Sequence, residues 1–364
     1  MSASVNGFGA FRLVLAASVL WMHFEKLRVE QATLEAFEIG TIAVCVFFAI
    51  SGYVISNAID VHYARRPGAF MLNRINRIAP AYLAVVIIAL LILPVLLSTY
   101  SLVDHSGNQA SSVAALSLAN AAKNFMAVVP LTNKIAPPEF IFVPFVWAVR
   151  TEVMFYVVAC LICLLAMLIR SSYGRVGFVF GVLALVAAYV EIATGLFGFP
   201  TFRVAPFFVL GAALYYIVKA PNLGNVGLAI AAVVGVVLET LTRSPQHEVL
   251  GFDRNLSGQA MLLIATLIVF FLLAKRGPMR SRWDTLGGQL SYPVYLAHSI
   301  PLFVCLTMGA NVAPSIWWWL AAVLATAVLS FTLVWTIERP FARLRATIRS
   351  SSNGDKTIVG APAF

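Results

Sequence analysis

Two ionisable side chains, Arg12 and His23, lie eleven positions apart in the first apolar stretch of the chain, "FRLVLAASVLWMHF" (11–24). In an α-helix this separation is almost three turns, so both side chains lie on one stripe, about 16 Å apart along the axis. An ionisable residue within a membrane-spanning helix is costly and by default faces a polar pathway or site. The alternative is that Arg12 extends to the headgroups at one interface and His23 caps the helix at the other. Their shared stripe favours a polar passage.

The two side-chain types suit two parts of one reaction. A guanidinium binds phosphate through charge-assisted hydrogen bonds, and a neutral imidazole can act as a general base near neutral pH. Coenzyme A joins a phosphorylated head to a pantetheine arm whose length is of the same order as the spacing of the two residues. We therefore expect Arg12 to bind the head of an acyl-CoA and His23 to act as the catalytic base near the thioester.

Two further arginines, Arg74 and Arg77 in "RINRIAPAY" (74–82), follow a predicted cytoplasmic turn at the start of the third membrane span. Helix N-termini attract anions through free N–H groups and the helix dipole, and a guanidinium binds phosphate in a bidentate geometry. We expect both arginines to bind the phosphates of the donor. The alternative is that they only mark the cytoplasmic side of the membrane, the role that we assign to Arg65 and Arg66.

Glu152 shares one face of the predicted fourth span with two aromatic residues of "WAVRTEVMFY" (147–156). We expect its carboxylate to lie at the depth of His23, to fix the tautomer of the imidazole and to stabilise the imidazolium ion, as the acid of a catalytic triad does. The alternative is a structural ion pair of Glu152 with Arg150 or Arg12.

A third polar stripe lies on the predicted penultimate span, where Ser291, Tyr295 and His298 are spaced i, i+4 and i+7. We expect this stripe to contact the pantetheine arm or the acyl group of the donor. The alternative for His298 is a purely structural hydrogen bond.

Ser51 and Gly52 in the second span predict close helix packing and not a nucleophile.

The composition places most of the chain in a membrane. Of its 364 residues, 61% are hydrophobic and 11% are charged, whereas soluble domains average about 25% charged residues. We predict an all-α integral membrane protein with about ten transmembrane helices, a membrane domain over residues 8–341, and a partly disordered cytoplasmic tail over 342–364. The predicted spans lie at about 8–24, 39–58, 79–98, 147–169, 176–196, 201–218, 223–241, 258–274, 291–309 and 316–336.

The distribution of basic residues predicts that both termini are cytoplasmic. With ten spans and a cytoplasmic N-terminus, 16 of the 25 Lys and Arg residues lie inside, seven lie outside, and Arg12 and Arg150 lie within helices. Cytoplasmic loops carry such an excess of basic residues. The net charge of +10 is therefore explained by topology, and we expect no nucleic-acid partner. The longest outside loop, 99–146, is nearly uncharged and is expected to pack onto the membrane domain.

Neither histidine nor cysteine spacing indicates a metal site. His62, His105 and His247 fall in predicted loops without metal-ligand spacing. The cysteines all lie in apolar runs, where Cys160-x-x-Cys163 is expected to pack inside a helix. We therefore expect no bound metal.

Six motifs in chain order resemble those of the membrane acyltransferase-3 family, which includes O-antigen, nodulation-factor and exopolysaccharide O-acyltransferases. They are Arg12-x10-His23, "FFAISGYVIS" (47–56), "RINRIAPAY" (74–82), "WAVRTEVMFY" (147–156), "LSYPVYLAH" (290–298) and "ERPF" (338–341). The chain departs from the family pattern at Ala148, usually Ser, and at Val153, often a second Glu. Only Glu152 is therefore carried over as an acid.

This resemblance implies a membrane O-acyltransferase. The donor would be a cytoplasmic acyl-CoA, most commonly acetyl-CoA, and no permanently bound cofactor is implied. The acceptor would be a sugar hydroxyl of an exopolysaccharide or of its polyprenyl-linked precursor, and in size the chain is similar to exopolysaccharide acetyltransferases such as those that modify xanthan. The implied location is the bacterial inner membrane, where membrane lipid and polysaccharide-assembly proteins would be partners.

Three alternatives stay open at this point. An acyltransferase that acts on O-antigen, peptidoglycan or a membrane lipid would need the same donor site. A non-enzymatic transporter of lipid-linked sugar would use the buried arginine and histidine as a proton or substrate path. Within the enzyme hypothesis, His23 either activates the acceptor hydroxyl or first takes the acyl group itself.

The asymmetry of basic residues makes a topological prediction. A reporter fused after Ser350 should read as cytoplasmic and one fused near Gly107 as periplasmic, because the predicted number of spans between them is odd when the C-terminus is inside. The opposite readout at either position would contradict the ten-span arrangement.

Overall fold

The computed structural model describes residues 7–28, 38–98, 100–101, 103–104, 115–198, 200–242, 256–276 and 281–358. In these ranges the chain is mainly α-helical, so the predicted fold class is confirmed. His105, His247 and the last six residues of the predicted tail lie outside the described residues.

Fourteen α-helices are found in the described part of the chain. They are α1 (Gly9–Phe24), α2 (Ile39–Ala58), α3 (Pro67–Leu97), α4 (Leu118–Met126), α5 (Thr132–Ile135), α6 (Val146–Leu168), α7 (Tyr173–Thr194), α8 (Pro200–Lys219), α9 (Leu223–Thr242), α10 (Leu256–Arg276), α11 (Arg282–Ala297), α12 (Ser299–Cys305), α13 (Ile316–Leu333) and α14 (Arg339–Ile358). A 3₁₀ turn at Glu25–Leu27 extends α1, and π-helical turns at Ile59–Tyr63, Leu306–Ala310 and Val334–Glu338 extend α2, α12 and α13.

Nine helical stretches in the described residues are long and apolar enough to cross a membrane, and they correspond to nine of the ten predicted spans. The chain is therefore a multi-pass membrane protein. The remaining predicted span forms α1, which has 16 residues and a length of about 24 Å. This is shorter than the hydrocarbon core of a bilayer, about 30 Å. Helix α1 packs against α2 and α11, inside the bundle.

Two helices begin earlier than the hydrophobic pattern predicted. Helix α3 starts at Pro67 where the predicted span starts at residue 79, and α11 starts at Arg282 where the predicted span starts at residue 291. The added turns carry charged and polar side chains, which lower the local hydrophobicity. Among them, Asn73, Arg77 and Asp284 form hydrogen bonds to other helical segments. Helix α14 likewise occupies most of the segment predicted as a tail.

Glycines allow the helices around the site to approach closely. A Cβ atom on Gly211 of α8 would lie 1.8 Å from the carbonyl oxygen of Ala49 in α2, and one on Gly52 of α2 would lie 2.1 Å from that of Phe208 in α8. The close packing predicted for Gly52 is thus confirmed. A third contact places Gly9 of α1 against the backbone of α11.

The Gly211 contact predicts a large effect of one methyl group. Gly211→Ala forces α2 and α8 apart and should destabilise the folded protein by at least about 1–3 kcal/mol, measured as a lower apparent Tm in detergent. Gly227→Ala in α9 is the matched control, because no atom lies within 4 Å of its added Cβ. Equal Tm values for the two variants would contradict the close-packing account.

Candidate functional site

The Arg12–His23 stripe faces the interior of the protein. Between these residues, Ala16 and Val19 are 0% and 1% exposed, so this side of α1 is not in contact with lipid. The polar passage predicted from the spacing therefore has the required orientation, and both residues face neighbouring helices.

Arg12 lines a pocket of about 50 Å³ between α1, α2, α6 and α11, which has both apolar and polar walls. Its other polar walls include Ser51, Glu152, Ser291 and Tyr295. Four of the eight site residues predicted from the sequence thus lie around one pocket. Ser51 is an additional member, which the sequence pattern assigned to helix packing.

The Glu152 carboxylate accepts hydrogen bonds from Ser51 Oγ at 3.1 Å and from Tyr156 OH at 2.6 Å. It does not lie at the depth of His23, because the residue that contacts the His23 ring is Phe145, with centroids 3.8 Å apart. Glu152 follows Phe145 by seven residues, which is about 10 Å along a helix. The predicted pairing of Glu152 with His23 is therefore wrong: the helix carries this carboxylate to the Arg12 end.

At the other end of the stripe, His23 and His298 face each other with ring centroids 5.4 Å apart. In each ring Nδ1 lies within hydrogen-bond distance of the carbonyl four residues earlier, at 3.0 Å from Val19 O and at 3.2 Å from Val294 O. A carbonyl oxygen only accepts, so these bonds place a proton on Nδ1 and the lone pair of the neutral imidazole on Nε2. Nε2 is then the basic atom.

Phe145 contacts both imidazoles. Its ring is stacked on His298 at 4.5 Å and meets His23 edge-on. The Phe145 carbonyl accepts a hydrogen bond from Tyr295 OH at 2.9 Å, so Tyr295 reaches from the Arg12 pocket to the histidine end. No sequence motif indicated Phe145, because a single aromatic residue in an apolar loop has no distinguishing pattern.

Two fully buried asparagines hold the loop segment that ends at Phe145. Asn120 Oδ1 and Asn124 Oδ1 accept hydrogen bonds from backbone N–H groups, those of Phe140 at 3.1 Å and Phe142 at 2.8 Å respectively. Both side-chain amides also donate to Phe140 O, at 3.0 and 2.8 Å. The position of Phe145 therefore depends on this loop.

The loop in turn is attached to the membrane domain. Tyr82 OH of α3, the last residue of the "RINRIAPAY" motif, donates a hydrogen bond of 2.5 Å to Asn124 O. For residues 115–146, the prediction that the long outside loop packs onto the membrane domain is thus confirmed.

Beyond the Arg12 pocket, Arg77 and Arg345 share the carboxylate of Glu338. The distances from guanidinium nitrogen to Glu338 Oε2 are 3.0 Å for Arg77 and 3.2 Å for Arg345, and Glu338 is 3% exposed. Arg77 also donates to Gly288 O at 3.4 Å. Glu338 belongs to the "ERPF" motif (338–341), for which the sequence alone predicts no role.

Arg74 lies over the rings of Phe70 and Tyr156, with its guanidinium carbon 5.3 and 5.6 Å from their centroids. The predicted anion site at a helix N-terminus is wrong, because α3 begins at Pro67 and both Arg74 and Arg77 lie two or more turns inside it. Any anion they bind is therefore held by their side chains and not by free N–H groups.

The arginine cluster carries more positive than negative charge. It consists of Arg12, Arg74, Arg77 and Arg345, which interact electrostatically with one another and with Glu152 and Glu338. The Nε atoms of Arg12 and Arg74 are buried without a hydrogen-bond partner in the described structure. Buried charge is costly unless it is balanced, so the cluster is suited to an anionic ligand.

Within the described ranges, no group of three or more His, Cys, Asp or Glu side chains is placed to hold a metal ion.

The comparison with protein families decides what kind of chemistry this site serves. A family model described as an acyltransferase domain matches residues 5–335, nearly the whole chain. The chain belongs to the membrane acyltransferase-3 family. Comparisons with curated proteins and with solved structures found no match. The resemblance inferred from the six motifs is confirmed, and the assignment favours an acyltransferase over the non-enzymatic transporter.

In this acyltransferase a series of side-chain contacts links the arginine cluster to the two histidines. Arg12, a member of the cluster, lines one pocket with Glu152 and Tyr295. Tyr295 bonds to the carbonyl of Phe145, whose ring contacts both histidines. The arginine cluster and the histidines therefore lie at opposite ends of this series of contacts.

The asparagine contacts predict that the loop positions the histidine end. Asn124→Asp removes two N–H donors, to Asn120 O and Phe140 O, and faces these carbonyls with an acceptor. We expect a loss of about 1–3 kcal/mol in stability, faster proteolysis between residues 115 and 146, and reduced acyl transfer.

Asn222→Asp is the matched control for this variant. The Asn222 side chain is exposed and accepts from Asn225 N–H at 2.9 Å at the start of α9, where an aspartate caps equally well. If Asn124→Asp behaved like this control, the loop would not position Phe145.

Proposed function

We propose that this acyltransferase transfers an acetyl group from cytoplasmic acetyl-CoA to a sugar hydroxyl of an exopolysaccharide or of its polyprenyl-linked precursor, in the bacterial inner membrane. The observation that supports this proposal is the series of contacts that links an under-neutralised arginine cluster to a histidine pair. Arg12 and His23 lie about 16 Å apart along α1. This length matches a donor whose charge and whose reactive carbonyl are separated by a long flexible arm.

The donor is oriented by its charge. Its phosphates bind to Arg12, Arg74 and Arg77, which form charge-assisted hydrogen bonds and offset the excess positive charge. The pantetheine arm then follows Ser291 and Tyr295 along the pocket. Both termini are cytoplasmic in this proposal, as the distribution of basic residues predicts, so the arginine end opens towards the cytoplasmic pool of acyl-CoA.

His298 binds the pantetheine arm of the donor, and His23 acts in catalysis. The Nε2 atom of His298 is buried and has no hydrogen-bond partner among the described residues, and it can accept from a pantetheine amide N–H. Glu152, held by Ser51 and Tyr156, lies beside Arg12. Its role is therefore to position Arg12 electrostatically, and it does not act on the imidazole.

In the direct route, His23 Nε2 takes the proton of the acceptor hydroxyl while its oxygen attacks the thioester carbonyl. The tetrahedral intermediate expels the CoA thiolate, which receives that proton and leaves as the thiol. In the two-step route, Nε2 attacks the thioester carbonyl and expels the CoA thiolate. The acceptor hydroxyl then attacks the acyl-imidazole, Nε2 leaves, and the proton of the hydroxyl passes to the thiolate. Both routes require the lone pair on Nε2 that the Nδ1–Val19 bond provides.

Substitutions of Arg12 and of His23 should affect donor binding and turnover differently. Arg12→Ala weakens donor binding by about 10- to 150-fold, because a hydrogen bond to a charged group is worth roughly 1.5–3 kcal/mol, so high acetyl-CoA should partly restore turnover. His23→Ala should leave donor binding intact while turnover falls by about 10²–10⁴-fold at every donor concentration. Binding and transfer are measured separately with purified protein and radiolabelled acetyl-CoA.

Ser18→Ala, on the same helix, is the control, because its hydroxyl bonds only to its own helix at Val14 O. Full turnover in a well-folded His23→Ala variant would contradict the proposed mechanism.

The acceptor class is tested separately, by comparing the cell's polysaccharides by NMR with and without the gene. Unchanged polysaccharide acyl esters would indicate another acceptor, such as peptidoglycan or lipid.

A further inference from the structure

The last helix, α14, is attached to the arginine end of the site. Asn73 Nδ2 of α3 donates to Arg345 O at 3.1 Å, and Arg345 Nη1 donates to Asn76 O at 2.9 Å. The Asn76 carbonyl is available because Pro80, four residues later, has no N–H to bond to it. The proline of the "RINRIAPAY" motif thus provides the acceptor that fixes Arg345 on α3.

One turn beyond Arg345, Arg349 has a buried Nε atom without a hydrogen-bond partner in the described part of the chain. It lies four residues after Arg345, so it is on the same face of α14, about 6 Å further along the axis. A buried donor that is left unpaired costs free energy. No hydrogen bond or ion pair among the described residues explains why the Nε atom of Arg349 is buried.

A second buried donor lies on the segment against which α14 packs. The π-helical turn Ile59–Tyr63 contacts α14, and the hydroxyl of Tyr63, a residue 1% exposed, is also buried without a partner among the described residues. The Tyr63 ring contacts Phe70 at 5.9 Å, and Arg74 lies over the same Phe70 at 5.3 Å. Unpaired donors of Arg74, Arg349 and Tyr63 are therefore carried by elements that pack on one another.

We propose that α14 completes the donor site and that Arg349, with Tyr63, binds the phosphate of the donor that lies farthest from its thioester. This inference rests on the proposed function. Arg12 lies in the pocket that leads to His23, whereas Arg349 lies beyond Arg345 in the opposite direction. In CoA the corresponding remote group is the 3′-phosphate of the ribose. A phosphate there accepts from a guanidinium and a phenol at once.

The same helix supplies a control. Arg343 is exposed and lies six residues before Arg349, so the two side chains point about 120° apart around the axis. Removal of either arginine changes the net charge equally. Only removal of Arg349 should change the recognition of a particular phosphate.

The test compares CoA with dephospho-CoA, which lacks the 3′-phosphate, by equilibrium binding to the purified full-length protein. Wild type should bind CoA at least about 10-fold more tightly than dephospho-CoA, the value of one charged hydrogen bond. Arg349→Ala and Arg349→Gln should lose this preference while binding dephospho-CoA as wild type does. Tyr63→Phe should reduce the preference, and Arg343→Ala should retain it.

Each outcome separates this inference from the proposed function. If wild type binds neither compound, the proposed function itself fails. If wild type binds both equally, or if the folded Arg349 variants and Tyr63→Phe keep the wild-type preference, the role of α14 is overturned while the donor assignment stands. Size-exclusion chromatography and apparent Tm establish that the variants are folded, and the Gln and Phe variants preserve side-chain bulk.

Discussion

Glu338 lies between Arg77 of α3 and Arg345 of α14, and this shared carboxylate connects the third span to the last helix. Its position explains why both helices extend beyond the hydrophobic runs that predict them. Helix α3 must begin early enough to present Arg74 and Arg77, and α14 must continue past the last span to bring Arg345 back. With Arg12 also within electrostatic reach, the cluster keeps an excess of positive charge, which a bound anion would balance.

The arginine cluster and the histidine pair are built from different elements. The arginines belong to α1, α3 and α14, whereas the two imidazoles are held by α1, α11 and the loop that ends at Phe145. Tyr295 connects the two groups through its bond to the Phe145 carbonyl. In the proposed function, donor binding and proton transfer therefore rest on different contacts, and changes to one group need not disturb the other.

The sequence predicted those parts of the site that depend on periodicity within one helix. Arg12 and His23 share a stripe, and Ser291 and Tyr295 line one pocket, because spacing along a helix determines which side chains share a face. Depth across the membrane was harder to predict. The hydrophobic pattern predicts Glu152 at the depth of His23, whereas Phe145, in the loop before the span, lies at that depth.

Contacts between distant segments could not be predicted from local patterns. In the sequence, Arg345 is one of the 16 basic residues on the predicted cytoplasmic side, and no local pattern distinguishes it. Its bond to Asn76 O depends on how α14 folds back onto α3. The asparagines at positions 120 and 124 have no motif, since their role is to satisfy the backbone of Phe140 and Phe142, in a segment without regular secondary structure. In both cases the missing information is which unpaired backbone groups lie nearby in space.

In the proposed function, the phosphates of the donor, held by the arginine cluster, provide most of its affinity. The equilibrium binding of acetyl-CoA and of S-acetylpantetheine to the wild-type protein tests this, because S-acetylpantetheine has the thioester and the arm but no phosphate. We expect S-acetylpantetheine to bind at least about 100-fold more weakly, since two or more charged hydrogen bonds are lost, and added salt to weaken only the binding of acetyl-CoA. Equal affinity of the two compounds would show that the arginine cluster does not hold the donor.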